Sequence, residues 1–197
     1  MTPCKTSITL FIAIGLVASV SFFTQPGSAA NRKLAVQDTL KQSADTLQLT
    51  SSAFEPDAAI PAKYTCDGED VSPALLWNDP PAATKSFALV VDDPDAPNKT
   101  VVHWLIYDIP PDIRGLQENF PKDKKLRDGA LQGKNDHGKI GYSGPCPPHG
   151  AIHHYFFKLY ALDEMTNLKP KATKPELEQA IKGHILAKAQ LIGRFEH

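Results

Sequence analysis

The chain has 197 residues, of which 22% are charged, and a formal net charge of −1 at pH 7. This near-neutral balance, with no basic cluster interleaved with aromatic residues, excludes the electrostatic pattern of a nucleic-acid-binding protein. No repeat or low-complexity segment divides the chain, and its length suits one compact domain with a substantial core.

The first 30 residues have the pattern of a secretory signal peptide. Lys5 is followed by an apolar run over residues 8–23, and small residues at 28–30 suit a cleavage site. The run is shorter than the ~20 residues of a membrane span. We therefore predict a cleaved signal peptide over 1–30 and a periplasmic or secreted protein whose membrane contact is at most peripheral. The alternative is an uncleaved N-terminal anchor helix.

The chain that follows is dominated by strand signals. Residues 31–45 are polar without a strong helical stripe, so we predict a flexible N-terminal arm, followed by a single domain over 46–197. Strands are predicted at residues 47–54 and 74–77. A third, at 86–93, has five consecutive apolar residues, which is typical of a central strand.

A further strand is predicted at residues 101–110. Alternation along it places His103 on the same face as Leu105 and Tyr107, opposite Trp104. The following residues, 111–141, are rich in Gly, Lys, Asp and Asn. They predict a long surface segment with little regular structure, and such segments often carry function.

Residues 142–162, YSGPCPPHGAIHHYFFKLYAL, join a proline-rich loop to a buried strand. Prolines and glycines hold such a loop in one shape without regular hydrogen bonding. From His153 onward the stretch is aromatic and aliphatic, as expected of a strand packed on both faces. A strand sends His153 and His154 to opposite faces, so at most one of them points into a pocket under the loop.

The C-terminal part carries a helix signal. Thr173 and Glu176 form the capping-box pattern, with Pro175 in the first turn. We predict a helix from about Lys174 to Ile192, stopped by Gly193. The residues therefore predict a mostly-β sandwich with a terminal α-helix.

Two cysteines remain after removal of the predicted signal peptide, Cys66 and Cys146. Two free thiols would be unusual in an oxidising compartment, so we predict a disulfide between them. The alternative is a pair of buried, reduced cysteines.

Ionisable side chains stand at the ends of three predicted strands. Asp93 follows one strand, His103 opens the next, and His153 opens the strand after the proline-rich loop. Imidazoles and loop N–H groups can donate to an anion while a carboxylate orients an imidazole. Converging, they would bind a phosphate-like or carboxylate-like anion. Asp92 and Asp95 are interpreted as turn-forming residues beside the proline.

These segments resemble a known family. Taken together, four motifs are similar to the phosphatidylethanolamine-binding protein (PEBP) family, in particular its bacterial branch of Raf kinase inhibitor-like proteins. The motifs are DDPDAP at 92–97, HW at 103–104, GPCPPHG at 144–150 and HHY at 153–155. The stretch at 64–77 is similar as well, so the resemblance covers nearly all of residues 47–195.

The resemblance implies a β-sandwich of two antiparallel sheets with a C-terminal α-helix. It also implies a small pocket for phosphate, acetate or a phosphorylated head group. Of the matching residues, the aspartate and histidines would bind the ligand, and the tyrosine and prolines would form the wall. The residues that match are Asp93, His103, Pro147, Pro148, His153 and Tyr155.

Other interpretations of the same residues remain open. His103 and His153 open buried strands, where a histidine often only donates to a backbone carbonyl. With a carboxylate they would also suit a zinc site, which is the less favoured alternative. Hydrolase chemistry is poorly supported, since Ser143 does not lie in a G-x-S-x-G elbow. We expect neither catalysis nor a cofactor or metal.

The predicted site and the family resemblance are compatible with two functions. The first is an exported, non-enzymatic protein with a regulatory role that binds a small anionic or phosphorylated ligand. The second is a protein-binding inhibitor of a protease or kinase, which the inhibitor members of the family suggest. The pocket rim and residues 111–141 would then form the contact surface. Neither function involves nucleic acid.

Overall fold

The computed structural model describes residues 46–197. The predicted signal peptide over 1–30 and the arm over 31–45 lie outside the described residues. Within the described part, eight strands and one α-helix form. In chain order they are β1 (Leu49–Ser51), β2 (Leu75–Trp77), β3 (Ser86–Asp93), β4 (Val101–Ile109), β5 (Gly115–Leu116), β6 (Leu131–Gln132), β7 (Ile152–Leu162), α1 (Lys174–Ile181) and β8 (Ile185–Glu196).

The strands form two antiparallel sheets. The smaller sheet has the order β1-β2-β5, and the larger has the order β6-β4-β3-β7-β8. Every pairing between neighbouring strands is antiparallel. The end of one strand therefore lies beside the start of its neighbour, even when the two are distant in sequence. This architecture confirms the predicted mainly-β fold with two antiparallel sheets and a helix.

Apolar side chains of the two sheets meet in one core. Leu75 and Trp77 of the small sheet belong to the same buried cluster as Phe87, Leu89 and Phe157 of the large sheet. All five are at most 5% exposed. Burial of such large side chains is the main favourable term that holds the two layers together.

The helix α1 covers the other face of the large sheet. Leu177 and Ile181 of α1 pack with Val90, Leu105 and Tyr107 of β3 and β4 in a second buried cluster. Strand β3 is thus covered on both faces. This explains why its apolar run does not alternate with polar residues and why all eight of its residues are buried.

The helix is shorter than the sequence predicts. It begins at Lys174 behind the predicted capping box, but it ends at Ile181 and not at Ile192. Residues Ile185–Glu196 form β8, which pairs with β7 along almost its whole length. Within the described residues, no helix has the length and apolar character that a bilayer crossing requires.

Sheet pairing explains why the helical prediction beyond Ile181 was wrong. From Ala189 onward, buried Ala189, Leu191, Gly193 and Phe195 alternate with more exposed residues, which is the period of a strand with one covered face. The apolar spacing also fits a helix, and pairing with β7 decides between the two. Gly193, predicted to stop the helix, lies inside β8.

Residues 111–141 contain regular strand structure only in β5 and β6, as predicted. The buried amide of Gln132 nevertheless ties the segment down. It donates to the carbonyl oxygens of Pro121, at 2.8 Å, and Asp123, at 2.7 Å, and it accepts from Nε1 of Trp104 at 2.7 Å. The segment is therefore anchored to the large sheet.

Candidate anion-binding site

A β-bulge in β4 sets the orientation of His103. Val91 of β3 pairs with Trp104 and Asp92 pairs with Val102, so His103 is one residue too many for the ladder. A bulge of this kind turns its side chain away from the regular alternation. The alternation predicted that His103 shares a face with Leu105. This prediction was wrong, because the bulge turns the His103 side chain to the other face.

The ends of three neighbouring strands bring the predicted residues together. Asp93 ends β3, His103 lies near the start of β4, and His153 lies near the start of β7. Because β4, β3 and β7 are antiparallel neighbours, these ends meet at one edge of the sheet. His153 Nδ1 lies 2.7 Å from Asp93 Oδ2, and the Tyr155 ring meets the His103 ring edge-on, 5.2 Å between centroids.

The side chains of this cluster are almost fully buried. Asp93, His103 and His153 are 4%, 3% and 6% exposed, and Tyr155 is 1% exposed. Only a small part of each side chain reaches solvent. A cleft of about 430 Å³ lies elsewhere among the described residues, beside α1, and is lined in part by Lys134.

The ring and backbone of His103 are held by a buried polar network. Its Nδ1 lies 2.8 Å from the carbonyl oxygen of Ser143, which can only accept, so Nδ1 carries the hydrogen. The Ser143 N–H donates back to the His103 carbonyl at 3.0 Å. The Asn135 amide donates to the Ser143 hydroxyl at 3.0 Å and to the His103 carbonyl at 3.3 Å.

Sequence reasoning missed two residues beside His103. Asn135 is 3% exposed and braces the network, and His137 lies with its ring 5.1 Å from that of His103. Their segment, KNDHG at 134–138, has the composition of an ordinary surface turn. No signal in that stretch distinguishes a brace from a turn.

Burial is the main influence on the protonation of the His103 and Tyr155 side chains. It lowers the pKa of His103 below its usual 6.5; His137 acts in the same direction, while the Ser143 carbonyl and Asp93 oppose it. Burial, followed by the nearby Asp93 carboxylate, raises the pKa of Tyr155 far above its usual value. At pH 7 the site therefore presents a neutral His103 and a phenol that keeps its proton.

The proline-rich loop reaches the site through its backbone. The Cys146 N–H interacts with the Tyr155 hydroxyl and partly offsets the rise in its pKa. Pro147 is buried and Pro148 is exposed. Cys146 is joined by a disulfide to Cys66, so the loop is also tied covalently to the segment after Tyr64.

The other two aspartates of the motif have different roles. Asp92 is fully buried in β3 and faces away from His103, with Lys158 Nζ and Lys174 Nζ each 2.7 Å from its carboxylate. Its interpretation as a turn-forming residue was therefore wrong. Asp95 does lie in the loop after β3, where it accepts from the backbone N–H of His154 at 2.8 Å.

The adjacent histidines point to opposite faces, as the strand alternation predicted. His153 is buried against Asp93, whereas His154 is part-exposed with its Nδ1 2.7 Å from Asp95 Oδ2. The Asp95 N–H donates to the other carboxylate oxygen of Asp93 at 2.8 Å. The Asp93 carboxylate is thus fixed from two directions and orients the His153 ring.

A protein-family model matches this chain over residues 50–196, about three quarters of its length, and it is described as Phosphatidylethanolamine-binding protein. The chain belongs to the phosphatidylethanolamine-binding protein family. This confirms the resemblance that its motifs show.

Relatives of this PEBP-family chain occur in archaea and bacteria. A UPF0098 protein of Methanothermobacter thermautotrophicus is 51% identical over 149 residues, which cover 76% of this chain and 98% of that protein. A UPF0098 protein of Aquifex aeolicus is 47% identical over 152 residues, covering 76% and 88%.

Solved structures share the PEBP fold. A putative PEBP homolog, CT736 of Chlamydia trachomatis, has a TM-score of 0.71 at 40% identity, covering 78% of this chain and 99% of its own. YbcL of Escherichia coli, described as a new member of the mammalian PEBP family, has a TM-score of 0.72 at 32% identity, covering 77% and 98%.

Proposed function

We propose that this PEBP-family protein binds a small anion, either free phosphate or a phosphorylated head group, at Asp93, His103 and His153. The observation that carries the proposal is the convergence of these three side chains at one sheet edge, where a bulge turns His103 toward Tyr155. Ordinary strand alternation would have placed His103 on the other face of the sheet.

The hydrogen bonds of the site define how an anion would be held. The Nδ1 atoms of His103 and His153 already bond to Ser143 and Asp93, so a ligand would meet the Nε2 atoms. Neutral His103 can accept from a P–OH group through Nε2, and its protonated form can donate to P–O⁻. The Tyr155 hydroxyl stays protonated, and its hydrogen bond to the Asp93 carboxylate contributes to the raised pKa.

Burial supports a ligand of small size. Side chains that are only 3–6% exposed can touch a phosphate or carboxylate group but leave little room for acyl chains. Low exposure also strengthens each polar contact, because the surroundings have a low dielectric constant. We therefore propose recognition of a head group or a free anion rather than of a whole lipid.

The proposed protein is exported and acts without catalysis. Export is supported by the signal-peptide pattern over 1–30 and by the Cys66–Cys146 disulfide, since disulfides persist mainly in oxidising compartments. A non-catalytic role is supported by the sequence, which contains no G-x-S-x-G nucleophile elbow. The mass of the exported protein tests the first point: cleavage after Ala30 gives a chain that starts at Asn31.

A titration of the histidine side chains tests anion binding. Millimolar phosphate should shift the imidazole resonances of His103 and His153 but not those of His184, which pairs with Asp163 at a distant surface. His153→Gln should weaken phosphate binding at least tenfold, and His184→Gln is the matched control. Phosphoethanolamine added in parallel distinguishes a free anion from a head group. Unchanged His103 and His153 resonances at millimolar concentrations of both ligands would refute the proposal.

A further inference from the structure

The disulfide lies at the surface beside a third potential metal ligand. Cys66 and Cys146 are both exposed, and His197 is half-buried. Both sulfur atoms and a ring nitrogen of His197 lie within 4.8 Å of one another. Within the described range 46–197, Cys66, Cys146 and His197 form the group of three potential metal ligands whose atoms lie within this distance.

A carboxylate already orients the third ligand. Asp67 Oδ1 lies 2.6 Å from His197 Nδ1, which leaves Nε2 of the same ring for a metal. A metal-binding histidine almost always donates its other ring N–H to such an acceptor. The His149 ring stacks on the face of the His197 ring, 4.0 Å between centroids.

Noncovalent contacts hold the two cysteine segments together independently of the S–S bond. The Cys66 N–H donates to the Pro145 carbonyl at 3.0 Å, and the Tyr142 hydroxyl donates to the Tyr64 carbonyl at 2.8 Å. Gly144 allows this close approach, because a side chain there would start 2.5 Å from the Tyr64 carbonyl oxygen. The two thiols would therefore stay neighbours after reduction.

We propose that reduction of the Cys66–Cys146 disulfide creates a zinc site with both thiolates and His197 as ligands and Asp67 as the orienting acceptor. A dithiol reductant supplies two electrons and two protons, which convert the disulfide to two thiols, and is itself oxidised to a disulfide. Zn²⁺ then displaces both thiol protons. Two thiolates and an imidazole are a donor set that zinc prefers, with one tetrahedral position left for water.

The zinc site would adjoin the proposed anion site without sharing a ligand with it. The Cys146 backbone interacts with Tyr155, so the metal would sit on the loop that walls the anion site. Asp93, His103 and His153 take no part in metal binding. Failure of either proposal therefore leaves the other untouched.

Cobalt binding to the oxidised and the reduced protein provides the test. The reduced protein should bind one Co²⁺ with a thiolate-to-metal charge-transfer absorption that Zn²⁺ abolishes, and the oxidised protein should show no such band. His197→Ala should weaken Zn²⁺ binding to the reduced protein more than tenfold, and Asp67→Asn should weaken it about tenfold. His184→Ala is the matched control, since His184 has the same kind of carboxylate partner in Asp163.

Near-UV circular dichroism shows whether the reduced protein keeps its packing. The proposal is overturned if the folded, reduced protein lacks the thiolate band, or if His197→Ala binds Zn²⁺ as tightly as the unmodified protein. It is equally overturned if reduction abolishes the near-UV signal and Zn²⁺ does not restore it. A Cys66→Ser, Cys146→Ser variant, which lacks both thiolates, should bind neither metal.

Discussion

His153 Nδ1 lies 2.7 Å from Asp93 Oδ2, although 60 positions separate the two residues along the chain. Both side chains are almost fully buried. A buried contact between a carboxylate and an imidazole is weak evidence for stability, because desolvation of the two groups offsets much of their attraction. Its clearer consequence is geometric: the carboxylate fixes which nitrogen of His153 is left to meet a ligand.

Asp93→Asn tests that orienting role. The amide cannot replace the carboxylate as a charged acceptor, so the His153 ring should lose its fixed orientation. Phosphate affinity is expected to fall about tenfold, which is the effect of losing roughly 1.4 kcal/mol from a charge-assisted hydrogen bond. Isothermal titration calorimetry measures the change. Asp163→Asn removes the partner of part-exposed His184 and should leave phosphate affinity unchanged; equal losses in both variants would contradict the prediction.

The lowered pKa of His103 predicts how stability depends on pH. In the unfolded chain its pKa returns to about 6.5, so below that pH the unfolded state binds more protons than the folded state. The free energy of unfolding should therefore be at its full value above pH 6.5 and decrease as the pH falls toward the folded pKa. Urea unfolding at pH 5.5 and 7.5 measures the difference.

The matched variants identify the residue responsible for this pH dependence. His103→Gln should reduce the loss of stability between pH 7.5 and 5.5, because glutamine does not take up a proton in either state. His184→Gln, at a different surface, is the matched control for the substitution itself. A loss that persists in full in His103→Gln would show that another group is responsible.

The sequence alone singles out Asp93, His103 and His153 as candidate site residues, but it does not reveal the geometry that orients them or the neighbours Asn135 and His137. Asp93 and His153 lie at the ends of apolar runs, where a strand end is easy to predict. The position of His103 depends on a bulge that exists only in the pairing of β3 with β4. The brace from Asn135 depends equally on tertiary contacts that its turn-like segment does not reveal.

The region after α1 shows that the sequence pattern alone also cannot assign every secondary-structure element of the fold. Residues Ile185–Glu196 carry an apolar pattern that fits a continued helix as well as a strand, and helix capping at Thr173 favoured the helix. The choice is made by β7, which offers a long neighbouring strand for pairing. Non-local pairing of this kind leaves no mark on the residues of one segment taken alone.

The buried carboxylate of Asp92 predicts coupling between two lysines. Lys158 and Lys174 both contact it and are themselves partly exposed. Lys158→Met and Lys174→Met should each lower the free energy of unfolding by about 1.5 kcal/mol, because one lysine still compensates the charge. The double variant leaves a buried carboxylate uncompensated and should lose about 5 kcal/mol, so that the coupling is about 2 kcal/mol.

Urea denaturation of the four proteins in this cycle measures the coupling between the lysines. Strict additivity, to within about 0.5 kcal/mol, would contradict it. Phosphate binding provides the internal control: Asp92 faces away from Asp93 and His103, so none of the three variants should change phosphate affinity while the protein is folded.

Removal of the disulfide tests how much the link between Cys66 and Cys146 stabilises the fold. The bond joins residues 80 positions apart. Restricting the unfolded chain by a loop of that length contributes about 4–5 kcal/mol in the chain-entropy model. Cys66→Ser with Cys146→Ser should therefore lower the free energy of unfolding by about 4 kcal/mol, which urea denaturation measures against the oxidised protein. Chemically reduced wild type is the matched control and should unfold at nearly the same urea concentration as the serine variant. A loss below about 1 kcal/mol would show that the contacts between the two loops already restrict the unfolded chain.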